Sequence, residues 1–286
     1  MGGLAECHGH IFMNGQDYRT AAALHRNGPV ESDVRAHLAA CRDAGITYFR
    51  DGGDAWGVSL LAARLAGEYG IRYATPAFAI HRQGRYGSIV GHGYGDLKEY
   101  RALVAQARAA GADFIKLMFS GVLDCVRYGG VSCPPLPGAE IREIVHIAHQ
   151  EGFPVMAHVN GPQAIRDALE AGTDSIEHGF YMAPDCAKAL GSTIWVPTHA
   201  AIHAFLGRPG FSDQVVSQAL AEQAERLRQA AASGGTIAAG SDSGAVGVPH
   251  GAGLLQERAL LEEILGGTEV LAQGDRALME RFCPRR

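Results

Sequence analysis

Residues 154–179 read PVMAHVNGPQAIRDALEAGTDSIEHG, and this stretch decides the fold. A short apolar run at 154–158 is followed by a segment of helical spacing at 162–171 and by a second short run at 175–178. The pattern predicts a strand, a helix and a second strand, with glycine in the turns between them. His158 and His178 each stand at the C-terminal end of one of these strands.

The same alternation continues in both directions along the chain. Predicted strands cover residues 4–10, 46–50, 71–79, 114–118, 154–158, 175–178, 193–197 and 236–242. Each is followed by a predicted helix, at 32–44, 56–69, 97–110, 139–151, 162–171, 184–190, 212–233 and 254–265. These units are not divided by a Pro/Ser-rich linker or a charge block. They therefore predict an α/β fold, a (β/α)8 TIM barrel that forms a single domain over residues 1–286. A doubly wound dinucleotide-binding sheet would need GxGxxG after the first strand, and that motif is absent.

The composition excludes several classes of protein. Of 286 residues, 47% are hydrophobic, and 30 acidic against 25 basic side chains give a formal net charge of -5. The chain has neither the basic patch that a nucleic-acid partner requires nor an apolar run long enough to cross a membrane. Six cysteines without a CxxC pair predict reduced thiols, and the start of the chain does not resemble a signal peptide. We expect a cytoplasmic protein that acts on a small molecule, and homo-oligomerisation stays open.

Ionisable side chains recur on the predicted strands. His8 and His10 flank Gly9 at the end of the first strand, and alternate strand residues share one face, so both imidazoles are expected to point toward the barrel axis. Lys116 lies on the inward face of FIKLM at 114–118, where burial favours the neutral amine. A neutral amine reacts with CO2 to give a carbamate, an anion that bridges two cations; a lysine paired with an interior carboxylate is the alternative. Asp242 ends the eighth strand, where an interior carboxylate requires a cation or hydrogen-bond donors.

Characteristic segments surround these positions or lie on other predicted strands and loops. They are YFRDGGD (48–54), GHGYGD (91–96), IKLMFSGV (115–122), AHVNGPQAIRDALEAGTDSIEHG (157–179) and GSDSGAVGVPHG (240–251). With them the chain resembles the metal-dependent amidohydrolase superfamily, in its prolidase-like and imidazolonepropionase-like branch. The superfamily pattern is HxH on strand one, a carboxylated lysine on strand four, histidines on strands five and six and an aspartate on strand eight. Family members usually carry a small β-sandwich beside the barrel, which we expect to be largely missing here.

The resemblance implies a centre with two divalent metal ions, zinc being the default. One ion would take the strand-one histidines and the aspartate, the other the histidines of strands five and six, and the carboxylated lysine would bridge both. A hydroxide between the ions would attack a substrate carbonyl, and Asp242 would pass its proton to the leaving nitrogen. The implied reaction is hydrolysis of an amide-type C–N bond in a dipeptide of the Xaa-Pro or Xaa-Arg/Lys type or in an N-acyl amino acid. The implied metal ligands are His8, His10, Lys116, His158, His178 and Asp242.

Other interpretations stay open beside this one. His92, Tyr128 and His250 lie on predicted loops and are candidates for substrate binding, although each is as readily explained by packing. A mononuclear deaminase-type hydrolase, or a lactone or phosphotriester hydrolase, would use the same barrel, and one metal per chain with unmodified Lys116 would indicate the mononuclear enzyme. A barrel that binds a metal or ligand without catalysis is the alternative from another class.

Overall fold

The computed structural model describes residues 3–284 as an α/β fold of short parallel strands. The strands are β1 (Leu4–Gly9), β2 (Ile46–Asp51), β3 (Arg72–Ala74), β4 (Ala79–Arg82), β5 (Gly91–Tyr94), β6 (Ile115–Met118), β7 (Val155–Val159), β8 (Ser175–His178), β9 (Ile194–Val196) and β10 (Thr236–Ile237). The helices are α1 (Tyr18–Leu24), α2 (Glu31–Asp43), α3 (Val58–Leu65), α4 (Leu97–Ala109), α5 (Gly138–Gln150), α6 (Pro162–Glu170), α7 (Pro184–Lys188), α8 (His199–His203), α9 (Asp213–Ala232), α10 (Ala252–Leu265) and α11 (Glu269–Arg281). A short 3-10 helix, Ala66–Tyr69, follows α3.

The strands close into a ring through two seams. One sheet has the order β1-β2-β3 and the other the order β10-β9-β8-β7-β6-β4-β5. The third strand of the predicted barrel joins the two sheets. Its first half, β3, pairs with β2, and its second half, β4, pairs with β6. At the other seam, Cys7 N donates to Ala239 O at 3.0 Å and Asp242 N donates to His8 O at 2.8 Å. The predicted (β/α)8 barrel is confirmed, and residues 3–284 form no β-sandwich beside it.

Two predicted strands are not continuous in the structure, whereas the bounds of the other six differ by at most one residue at either end. The strand predicted at 71–79 is divided into β3 and β4 because Ala77 between them has a φ of +64°, which extended backbone does not permit. Of the strand predicted at 236–242, only β10 has regular strand geometry. The residues that follow it, 238–242, are hydrogen-bonded to β1. The helices α1, α8 and α11 and the strand β5 were not predicted.

Helix α11 and the residues after it close the N-terminal end of the barrel. Leu278 and Phe282 are fully buried in a cluster with Tyr48 and Phe114. Tyr48 lies in the first half of β2, and Phe114 immediately precedes β6. Tyr48 Oη donates to the Phe282 carbonyl at 2.9 Å, and the rings of Phe114 and Phe282 meet edge to face at 5.4 Å. These side chains fill the barrel interior at this end, and the candidate site cavity lies at the C-terminal end of the strands, where TIM barrels carry their active sites.

Two expectations from composition can be compared with the fold. The six cysteines all lie within the described residues, where they form no disulfide. Within the same residues, every helix is too short or too polar to cross a bilayer.

Candidate active site

His8 and His10 lie at the C-terminal end of β1 and face a common cavity. Their ring centroids are 5.5 Å apart. His8 Nδ1 donates to Glu177 Oε2 at 2.7 Å, which leaves its Nε2 for the cavity. His8 Nε2 and His10 Nδ1 are buried without a hydrogen-bond partner in the described part of the chain. Buried polar atoms are normally satisfied, so these nitrogens are available to a ligand that the protein itself does not supply.

His158 and His178 reach the same cavity from β7 and β8. Their ring centroids are 4.5 Å apart, and the centroid of His178 lies 5.1 Å from that of His8. His158 Nε2 donates to the Gly121 carbonyl at 3.1 Å, and His178 Nδ1 is hydrogen-bonded to Thr198 Oγ1 at 2.7 Å. Each ring therefore has one nitrogen fixed by the protein and one left over, which is the usual arrangement of a histidine that binds a metal.

The backbone is strained at two of these strand ends. His178 has a φ of +67° and Asp242 a φ of +61°, in the left-handed region that residues other than glycine seldom adopt. Neighbouring strand residues face opposite sides, so a regular strand would direct His178 away from the interior that Glu177 occupies. The left-handed turn returns the His178 imidazole to the cavity. Such strain is typical of functional positions that the surrounding structure holds in place.

Lys116 on β6 lies among the histidines, with a side chain that is 1% exposed and an Nζ without a hydrogen-bond partner in residues 3–284. Burial lowers the pKa of Lys116 to about 8, although Glu177 opposes the shift. Burial also raises the pKa of Asp242 to about 6, against the effect of Lys116. Asp242 Oδ1 lies 3.6 Å from His8 Nε2 and 3.5 Å from His10 Nε2. The lowered pKa makes the neutral amine, the form of lysine that carboxylation requires, more abundant than in an exposed lysine.

Burial keeps the four histidines neutral. Together with the positive charge of Lys116, burial lowers the pKa of His10 and of His158 to about 3. The pKa of His8 and of His178 is well below the usual value, again mainly because of burial. A neutral imidazole keeps the free electron pair that binds a metal ion.

The residues present fit a divalent metal. Ligand atoms of His8, His178 and Asp242 lie within 4.8 Å of one another. Imidazole nitrogens with a carboxylate oxygen suit zinc and other first-row metals. All six side chains predicted as ligands line one cavity, and those of His8, His10 and Lys116 have buried atoms that a cation or a carbamate would satisfy.

A buried ion pair supports the site and was missed in the sequence. Glu177 accepts from His8 Nδ1 and forms a salt bridge to Arg50, whose Nη2 lies 2.8 Å from Glu177 Oε1. Both side chains of the salt bridge are fully buried. Strand alternation contained the signal, because Ser175 and Glu177 share the face of β8 opposite Ile176, and an interior carboxylate needs a cation. Glu177 thereby sets the tautomer and the orientation of His8.

The cavity above these side chains has a volume of about 500 Å³. Most of its other lining residues are apolar. One side, which we call the apolar wall, consists of Leu123, Phe180, Ile202, Phe205 and Phe211. The rings of Phe205 and Phe211 are stacked, with centroids 4.3 Å apart.

The three residues predicted to bind substrate are not among those that line this cavity. His92 lies on β5. Tyr128 is 45% exposed, and its hydroxyl donates to Glu222. His250 is buried, and its Nε2 donates to the Met13 carbonyl at 2.8 Å. A role of these side chains in substrate binding stays a prediction.

Comparison with known proteins adds a family and several similar folds. A family model described as "Amidohydrolase family" matches residues 1–274. A solved prolidase complexed with N-methylphosphonate-L-proline is 23% identical with a TM-score of 0.78, over 99% of this chain and 74% of that chain. A Xaa-Pro dipeptidase with bound methionine is 23% identical with a TM-score of 0.72, over 98% and 76%. The A. niger ochratoxinase is 21% identical with a TM-score of 0.73, over 97% and 69%. Among curated proteins, none matches the chain.

Proposed function

Because the chain belongs to the amidohydrolase family, we propose that it hydrolyses an amide-type C–N bond of a small molecule with two divalent metal ions. Membership in the family makes the protein a metal-dependent hydrolase. The observation that carries the proposal of an amide hydrolase with two metals is the convergence of six ligand-type side chains on one cavity. They are His8, His10, Lys116, His158, His178 and Asp242.

The ligand set is divided between the two ions. Bound ions would supply a water molecule acidic enough to act as a nucleophile near neutral pH, and they would polarise the substrate carbonyl. We assign the two histidines of β1 and Asp242 to one ion, and His158 and His178 to the other. Lys116, as its carbamate, is assigned to both. Zinc is the metal that we propose, since imidazole and carboxylate ligands suit it.

Asp242 is the proposed proton carrier. Its Oδ1 lies 3.5 Å from His10 Nε2 at the floor of the cavity, and burial raises its pKa to about 6. A carboxylate with this proton affinity accepts a proton from the attacking water and then donates it to the leaving nitrogen. Glu177 supports the reaction from below, because its hydrogen bond holds the His8 ring in one orientation.

A mononuclear hydrolase is the second candidate. The observation in its favour is that the ligand atoms of His8, His178 and Asp242 already form a compact group within 4.8 Å. In that enzyme Lys116 would stay an unmodified amine. Mass spectrometry of the intact protein distinguishes the two candidates, because a carbamate adds the mass of CO2, and metal analysis counts one or two ions per chain.

The substrates to examine first follow from the shared fold. The solved relatives include a prolidase and a Xaa-Pro dipeptidase. Dipeptides that end in proline, arginine or lysine, and N-acyl amino acids, are therefore the initial panel. From composition we further propose a single domain over residues 1–286 and a cytoplasmic location, without nucleic-acid or membrane partners.

A metal-reconstitution assay tests the function. Protein stripped with a chelator is reloaded with Zn²⁺, Mn²⁺ or Co²⁺ and assayed on this panel together with neutral amides and lactones. We expect hydrolysis to depend on metal, and Asp242→Asn to keep some bound metal while turnover falls by about 100-fold or more. Asp43→Asn, on the exposed end of α2, is the matched control. Near-normal turnover of Asp242→Asn would remove its role as proton carrier, and a metal-loaded protein that hydrolyses nothing would indicate the non-catalytic barrel.

A further inference from the structure

We propose that the substrate carries an uncharged apolar group, aromatic or aliphatic, which packs against the apolar wall beside the metal ligands. Neutral apolar amides would then be better substrates than free dipeptides and N-acyl amino acids, whose carboxylates the wall disfavours. This inference rests on the proposed amide hydrolysis for its kinetic test, and it narrows the substrate class of that same site.

The wall is an organised aromatic surface that is left partly open to solvent. Phe205 and Phe211 stack with an angle of 14° between their rings, and Phe211 is 39% exposed. Val122, which also lines the cavity, is 37% exposed. Exposed apolar surface that continues into a cavity is stabilised when an apolar ligand covers it. The surface leads directly to the side chains that we assign to the metals, so its ligand is the substrate rather than another protein.

Leu123 and Phe180 anchor this wall in a small cluster of its own. They pack with Val216 and Leu220 of α9, apart from the main barrel core. Phe205 packs against the same cluster. The wall therefore packs on a cluster that is separate from the main barrel core.

The small number of charged side chains in the cavity also favours an uncharged group on the substrate. Among the described residues that line it, Lys116 and Asp242 are the only ones with an ionisable acidic, lysine or arginine side chain, and both belong to the metal floor. Arg127 on a nearby loop is engaged by Asp124, with its Nε 2.8 Å from Oδ2. Arg208, between Phe205 and Phe211 in the chain, is exposed and lies outside the lining.

A substrate carboxylate placed on the wall would thus lose water without gaining a cation from the residues that form the wall. That transfer is unfavourable, whereas a methyl or phenyl group in the same place gains from burial. The formal net charge of -5 also gives the protein as a whole no attraction for anions. The structure therefore favours a neutral group at this position.

Two anilides of equal length test the proposal. Hexananilide ends in a methyl group, and adipanilic acid carries a carboxylate in its place. Hydrolysis is followed by aniline release with the metal-loaded full chain, and binding is measured by calorimetry with metal-loaded Asp242→Asn. We expect kcat/KM and affinity for hexananilide to exceed those for adipanilic acid by about tenfold or more.

Variants of the wall make the test specific. Phe211→Ala should weaken hexananilide binding by about tenfold, because an aromatic contact is lost. Phe211→Arg should reverse the preference toward adipanilic acid, since it supplies the missing cation. Leu255→Ala, on α10 and 48% exposed but outside the lining, is the control and should change neither probe. Arg208→Ala should also change neither, and a specific loss of adipanilic acid binding in that variant would identify a carboxylate site and overturn the proposal.

The outcomes separate this inference from the proposed function. If hexananilide binds in preference but no amide is hydrolysed, the apolar site stands and amide hydrolysis fails. If adipanilic acid is hydrolysed as well as hexananilide or better, amide hydrolysis stands and the apolar preference is overturned. Absence of binding by both probes would also overturn it.

Discussion

Glu177→Gln tests whether the buried ion pair organises the candidate active site. The substitution keeps the shape of the side chain and removes the negative charge that lies 2.8 Å from Arg50 Nη2 and 2.7 Å from His8 Nδ1. All three side chains are fully buried. The Arg50 guanidinium would remain as an interior cation without its counter-ion, and His8 would lose the carboxylate that orients it.

The expected magnitudes follow from these contacts. Removing one partner of a buried ion pair destabilises a protein by about 3–5 kcal/mol. In a chain of this size that loss lowers the melting temperature by about 5–8 °C. Loss of the carboxylate partner of a metal-binding histidine lowers metal affinity by about 10–100-fold.

Thermal unfolding of the metal-free protein measures the first effect, and competition with a chromophoric chelator measures the second. Glu225→Gln is the matched control, because Glu225 is 52% exposed and its salt bridge to Arg228 spans 3.7 Å. A surface change of this kind should stay within about 0.5 kcal/mol. If Glu177→Gln behaves like this control in both assays, the ion pair neither stabilises the barrel nor orients His8.

Three further predictions address the bridge, the barrel end and the pH dependence of stability. Lys116→Ala should lower metal affinity by about 100-fold or more, with partial recovery in short carboxylic acids; full occupancy by metal analysis would contradict the carbamate bridge. Phe282→Ala should destabilise the protein by about 3–5 kcal/mol in urea unfolding because it opens a cavity under the barrel, and unchanged stability would show that α11 does not close it. Burial raises the pKa of Glu257 from its ordinary value of 4.5 to about 8, so the folded state binds more protons between these values and stability should fall as pH rises through that range. Glu257→Gln should reduce this dependence of stability on pH. If the free energy of unfolding of the variant falls with pH as steeply as before, other groups cause the decrease.

Much of the candidate site could be predicted because its residues obey local rules. His8, His10 and Lys116 follow the period-two alternation of their strands, and the structure directs all three into the cavity, as the pattern predicts. The position of His158 at the end of its predicted strand was sufficient to assign it to the site. These rules depend on neighbouring residues alone, so a single sequence contains them.

Other parts of the site depend on contacts between distant segments. The apolar wall comes from loops that follow different strands, and no periodicity in the chain indicates that Leu123 and Phe211 lie at the same cavity. The pair of Arg50 and Glu177 joins β2 and β8, and the alternation within one strand does not indicate which charged residue of another strand it meets. The positions of Tyr128 and His250 outside the cavity lining depend on the paths of their loops, which local sequence does not specify. His92 lies on β5, a strand that the sequence pattern did not predict, because that segment was interpreted as a glycine-rich loop.

The amino-acid sequence alone was sufficient for the repeating strand and helix units and for the strand ends at which ionisable residues stand, because hydrophobic periodicity and turn residues act over a few positions. The tertiary structure alone decided how strand three divides, how His178 and Asp242 turn inward at positive φ, and which apolar side chains flank the site. The physical reason is that backbone strain and buried charge are tolerated only where the packing of remote segments compensates for them.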